Sequence, residues 1–272
     1  MAGCPRKKVL SVPVPFPSLL AHPDPHLNVM KTHPLRQVIA VSFIAALFLA
    51  GPWIPAIAAK PMPKLVIKKG VVATNNPNAK FSPPLSPAGK WKPFGSSCPR
   101  FNGTITSANL AGLINSNLNG VAAGNRVTFA IAIQNTGTGP AYDVELIETM
   151  PLDPVDRPAC FAVLTNFCVR RGDGTPLPFT TAIAGHGRTR IKLGGAPLAA
   201  GFPLNVSGTN IAIITFNAQV VSNLHLECCE NKAELVHYAA TPNGPDLVGG
   251  SSSAAYHDSA RLCRSLHPTN RQ

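Results

Sequence analysis

The chain has 272 residues, 24 Lys and Arg against 12 Asp and Glu, and a formal net charge of +12. The excess is local: residues 60–100 carry eight basic and no acidic residues, whereas residues 101–272 carry eleven of each. The body is therefore neutral, which excludes a nucleic-acid-binding role for the protein as a whole.

In chain order, Met30-Lys31 and Arg36 open a basic stretch, followed by the apolar run Val38–Ala50, the breakers Gly51, Pro52 and Pro55, and the small residues Ala56–Ala59. This pattern predicts a signal peptide over 30–59, cleaved near Ala58 or Ala59, with residues 1–29 upstream of the true start at Met30. The apolar run is too short for a spanning helix of roughly 20 residues, so no membrane span is expected after cleavage. The remaining chain keeps six cysteines: Cys98, Cys160, Cys168, Cys228, Cys229 and Cys263. An even set in an exported protein predicts three disulfides. Cys160–Cys168 is the favoured local pair. Cys228 and Cys229, pointing to opposite sides of a strand, are expected to take separate partners, with Cys98 and Cys263 as candidates.

Residues 60–100 read as a poorly ordered basic, Pro-rich linker, with one edge strand as its expected contribution to the fold. Its cations (Lys60, Lys64, Lys68, Lys69, Lys80, Lys90, Lys92) are candidates for contact with an anionic polymer. The folded domain is expected over 101–263, with 264–272 as a tail. Thr104–Leu110 is the first expected strand. Within 125–134, Val127, Phe129, Ile131 and Ile133 alternate with smaller or polar residues, so one face of a strand is apolar. Asn135, Gly137, Gly139 and Pro140 then form a dense turn in which the glycines are free to adopt positive φ, and 141–149 leaves it as another strand. The 150–180 stretch reads as a long excursion. Further strands are expected over 188–193, 211–221, 232–239 and 253–259. About seven turn-punctuated strands predict an all-β antiparallel sandwich preceded by a disordered basic tail.

The run from Ala123 through Gly137, then Ala141–Pro151, and later Ile211–Val221 and Glu230–Leu235, resembles the conserved-repeat family of bacterial and archaeal surface proteins, Domain of Unknown Function 11. The resemblance covers roughly residues 101–260. It implies an immunoglobulin-like fold used as a wall, matrix or adhesion module, whose partner is an envelope or surface component.

Other constellations carry less. His225-Leu-Glu-Cys-Cys-Glu230 has zinc-type ligands without zinc-site spacing, and no metal or cofactor is assigned. Ser251–Ser253, His257 and Asp258 hold the side chains of a hydrolase triad, but neighbouring strand residues point to opposite faces and no nucleophile elbow precedes them. Arg171-Gly172-Asp173 is a tripeptide that some adhesion receptors read. A buried Lys, an Asn and a carboxylate form an amide crosslink in some surface sandwiches, and Asn231, Lys232 and Glu145 supply those types. The reading is a non-enzymatic structural or adhesive surface module with no small-molecule substrate. The alternative is a secreted protein whose basic tail binds wall polymer, lipopolysaccharide or nucleic acid. No oligomeric state is assigned.

Overall fold

The computed structural model describes residues 59–91, 98–152, 160–162, 164–221, 227–249 and 253–264. The expected leader through residue 58, Lys92, His225, Ser251 and residues 265–272 of the expected tail lie outside them. Eleven strands form two facing sheets: β1 (Leu65–Thr74), β2 (Lys80–Ser82), β3 (Asn117–Val121), β4 (Arg126–Asn135), β5 (Tyr142–Thr149), β6 (Thr165–Arg171), β7 (Phe179–Ile183), β8 (Arg188–Leu193), β9 (Ile211–Gln219), β10 (Cys228–Ala239) and β11 (His257–Arg264). One sheet has the order β1-β4-β9-β6 and the other β2-β3-β11-β10-β5-β8-β7. Pairing is antiparallel throughout except between β3 and β11. The all-β sandwich is as expected, with more strands than the apolar alternation revealed.

The core follows from two-residue periodicity. Val127, Phe129, Ile131 and Ile133 of β4 meet Ala212, Ile214, Phe216 and Ala218 of β9, and both sets face Val144, Leu146, Ala233 and Leu235 of the opposite sheet. Alternate positions Ala130, Ala132, Ile211 and Ile213 are also buried, beneath Trp91, Ile105, Leu110, Leu113 and Ile114. A one-turn helix α1 (Leu110–Leu113) anchors this outer cover, and Trp91 Nε1 donates to Leu113 O at 3.2 Å. β4 and β9 are thus apolar on both faces because a loop layer covers the outside of their sheet.

Two expectations are corrected here. The fold begins at β1, not near residue 101: residues 65–74 pair along the length of β4, with Leu65, Ile67 and Val71 buried. The segment is ordered because its apolar alternation completes the four-stranded sheet, so the disordered tail does not extend across it. The expected strand at 104–110 is instead a turn leading into α1, held by Leu110 N donating to Thr106 O at 3.0 Å.

The turn after β4 is held differently from expectation. Neither Gly137 nor Gly139 takes positive φ. Both are needed because the chain entering β1 crosses them: a Cβ on Gly137 would lie 2.3 Å from Met62 O. Asn135, fully buried, accepts from Lys64 N (3.1 Å) and Gly137 N (3.0 Å), and donates to Gly139 O (2.8 Å) and Ala199 O (2.9 Å). One carboxamide thereby satisfies backbone groups from three segments that the sheets leave unpaired.

Candidate functional site

The disulfides connect Cys98 with Cys168, Cys160 with Cys229, and Cys228 with Cys263. This corrects the local Cys160–Cys168 staple. Cys168 lies on β6, paired with β9, and reaches the 98–100 segment, whereas Cys160 joins the seven-stranded sheet at Cys229. Adjacent Cys228 and Cys229 do take separate partners, as alternation requires. Cys228 bonds within its sheet to the register partner Cys263, while Cys229 points into the core.

Alternation also delivers three polar side chains to the core. Lys69 is in phase with Leu65, Ile67 and Val71 on β1. Glu148 is in phase with Val144 and Leu146 on β5, and Asn231 with Cys229, Ala233 and Leu235 on β10. Lys69 is 1% exposed, and Glu148 and Asn231 are 0% exposed. β5 and β10 are neighbours, with Ala233 opposite Glu148, so Asn231 lies diagonally across from the carboxyl. β1 belongs to the other sheet, so Lys69 reaches across the sandwich. Its Nζ is 2.5 Å from Glu148 Oε2 and 2.5 Å from Asn231 Oδ1. The Phe129 and Phe216 rings flank it, each with its centroid 5.5 Å from Nζ. Lys69 N also donates to Asp258 Oδ2 at 2.7 Å, which ties β1 to β11.

The electrostatics follow from burial. Desolvation pushes the Glu148 carboxyl up to about 7, against the opposing pull of Lys69 and a smaller one from Asn231. Desolvation pushes the Lys69 amine down, against the opposing pull of Glu148 and Asp258. Both shifts favour the uncharged forms. Glu148 Oε1 and Asn231 Nδ2 have no hydrogen-bond partner. Chemically, the cluster holds an amine, a proton acceptor and donor, and a carboxamide in contact, shielded from water.

The sequence identified Asn231 but paired it with the wrong partners. Lys232 is exposed, and Glu145 forms a surface ion pair with Arg190 at 2.5 Å. Each lies one position out of phase with the inward-facing residues of its strand. Among the candidates for anionic contact, Lys60, Lys64, Lys68 and Lys80 are exposed and Lys90 is half-buried, but Lys69 is withdrawn into the core.

The remaining constellations have structural duties. The Arg171 guanidinium donates to the carbonyls of Thr209, Ala196 and Pro197. Asp173 Oδ1 accepts from Thr175 N at 2.8 Å, so the tripeptide builds its own loop. Asp258 is bonded to β1, and Ser253 caps the 3₁₀ turn Ala254–Tyr256. Among the described residues, no group of three or more His, Cys, Asp or Glu is placed to hold a metal. An apolar surface depression of about 400 Å³, lined by Met150, Leu164, Phe167 and Ile183, has Arg188 as its one titratable lining residue.

No protein-family model and no curated protein sequence matches the chain. Solved structures with a similar sandwich include the pilus protein RrgB of Streptococcus pneumoniae, at 14% identity and a TM-score of 0.37, covering 67% of this chain and 24% of that one. The major pilin SpaA of Corynebacterium diphtheriae is 18% identical with a TM-score of 0.30, covering 52% of this chain and 34% of that one. The collagen-binding domain of a Staphylococcus aureus adhesin is 9% identical with a TM-score of 0.29, covering 51% and 88%. These likenesses concern the fold alone. The chain spans about a quarter to a third of the length of the two pilins.

Proposed function

We propose that the protein is an exported, non-enzymatic structural or adhesive module of a cell surface or envelope. The observation that carries this reading is the cysteine pairing: all six cysteines from residue 98 onward are bonded, in three disulfides that tie one loop to β6, another to β10, and β10 to β11. Such pairing belongs to an oxidising compartment. It also rigidifies a fold whose polar cluster is buried in the core. Solved structures with similar sandwiches include pilins and adhesins and also an enzyme that catalyses a macrocyclization, at identities that speak only to architecture. The resemblance to the conserved-repeat surface family points the same way, toward a partner in the envelope or matrix.

Fractionation of cells with protease shaving tests the reading. Recovery in the envelope or medium, with cysteines resistant to alkylation until reduced, is expected. A cytosolic protein with free thiols would refute it. Anionic polymer binding by the basic segment is the second reading, favoured by the exposure of Lys60, Lys64, Lys68 and Lys80. It is tested by replacing these four residues with Gln and measuring salt-sensitive binding to wall polymer.

A further inference from the structure

We infer that Lys69 and Asn231 become joined after folding by an amide bond from Lys69 Nζ to Asn231 Cγ, with Glu148 moving the protons. This inference is independent of where the protein is attached.

The geometry is that of reactants. Lys69 Nζ touches Asn231 Oδ1 at 2.5 Å, and the electrophilic carbon is one bond beyond that oxygen. Glu148 Oε2 touches the same Nζ. An ordinary buried ion pair would need only Lys69 and Glu148 and would require further hydrogen bonds to offset desolvation. Here Glu148 Oε1 and Asn231 Nδ2 are left without partners. These are the two atoms that a condensation would use next, one to carry a proton and one to leave. Lysine is almost never fully buried, and the flanking Phe129 and Phe216 rings keep competing water away from it. Fixing the groups in contact supplies a high effective concentration, on the order of 10⁵ M or more in well-oriented intramolecular reactions.

The step balances within the cluster. Lys69 ammonium passes a proton to Glu148, leaving a neutral amine whose lone pair attacks Asn231 Cγ. The carbonyl electron pair moves onto Oδ1, which accepts a hydrogen bond from the Glu148 carboxyl. Glu148 then delivers its proton to Nδ2 and takes one from the former amine. As the intermediate collapses, the Cγ–Nδ2 bond breaks and ammonia departs. One amine and one carboxamide give one secondary amide and one ammonia. No oxidant, reductant or external acyl donor is consumed.

Peptide mapping of the oxidised, folded full chain, reduced and alkylated only afterwards, tests this directly. The expected result is a branched peptide joining residue 69 to residue 231. It should be lighter than its two components by one ammonia, about 17 Da, with proteolysis after Lys69 suppressed. Lys69→Met and Asn231→Ala should abolish it. Glu148→Gln should slow its formation about 100-fold or more. Asn231→Asp should give the same final amide by losing water instead. Recovery of residues 69 and 231 in separate, unmodified peptides from folded wild-type protein would overturn the inference, and that digest decides the matter without any variant having to fold.

Discussion

The double variant Lys69→Met/Glu148→Gln removes the nucleophile and the proton carrier while keeping side-chain volume close to the original, so the protein should fold without the Lys69–Asn231 amide. The stability change can be worked from the covalent map. With the disulfides intact, the shortest covalent route between these residues runs 29 residues from Lys69 to Cys98, eight from Cys168 back to Cys160, and two from Cys229 to Asn231. The amide therefore closes a loop of about 40 residues, worth about 4 kcal/mol on the chain-entropy model. Reduced protein lacks that route, and the loop grows to 162 residues by sequence separation, worth about 5 kcal/mol. The cluster of the double variant carries no charge, so no buried ion is left without its partner. Guanidinium unfolding with a slope of about 4 kcal/mol per M should then show a midpoint about 1 M lower than wild type. The deficit should widen by about 1 kcal/mol after reduction. A variant within about 1 kcal/mol of wild type, or a deficit that shrinks on reduction, would refute the reasoning.

Lys69→Met alone strands a buried carboxyl. With no cation beside it, Glu148 stays protonated in the folded state beyond about 7, while the unfolded group ionises near its ordinary value of 4.5. The folded state then binds the extra proton, so stability should be full below about 4.5 and fall as pH rises toward 7, by up to about 1.4 kcal/mol per unit. Asp258, the other acid beside Lys69, contributes through its bond to the Lys69 backbone, which this variant retains. A stability curve that rises with pH in that window would contradict the assignment. Stepwise reduction with differential alkylation should show Cys98–Cys168, Cys160–Cys229 and Cys228–Cys263, and detection of Cys160–Cys168 would restore the local staple. Asn135→Ala leaves backbone groups of three segments unpaired and should cost about 3 kcal/mol in chemical denaturation. A loss below 1 kcal/mol would mean that water replaces the carboxamide.

Much of this was legible in alternation. β4, β5, β8, β9 and β10 lie where their apolar periods place them, and the inward face of β4 matches the expected residues. β1 was obscured because Lys68-Lys69-Gly70 interrupts its apolar run. Yet Lys69 keeps phase with Leu65, Ile67 and Val71, and a charge in phase with a core face is itself the signal. Applied to β5, the same rule selects Glu148 over Glu145. β7 offered no such pattern: it is an edge strand with Ile183 91% exposed. In β3 the period breaks at Gly120, whose φ of +82° shifts Val121 inward. Cysteine pairing was hidden for another reason. Proximity along the chain favours Cys160–Cys168, but the sheets carry those residues to different partners, and only the assembled sandwich brings Cys160 to Cys229.

The adjacency of Cys228, Cys229 and Asn231 has a mechanical consequence. A pull applied at β1 and at the end of β11 enters the covalent skeleton at Lys69 and at Cys263. With the amide in place, tension passes from Lys69 to Asn231, along three residues of β10 to Cys228, and out through the disulfide to Cys263. Residues 70–227 then lie off the load path, and the hydrogen-bonded ladders inside that span carry almost none of the force. Such a unit would transmit a pull like a link in a chain and would not unspool like a folded spring.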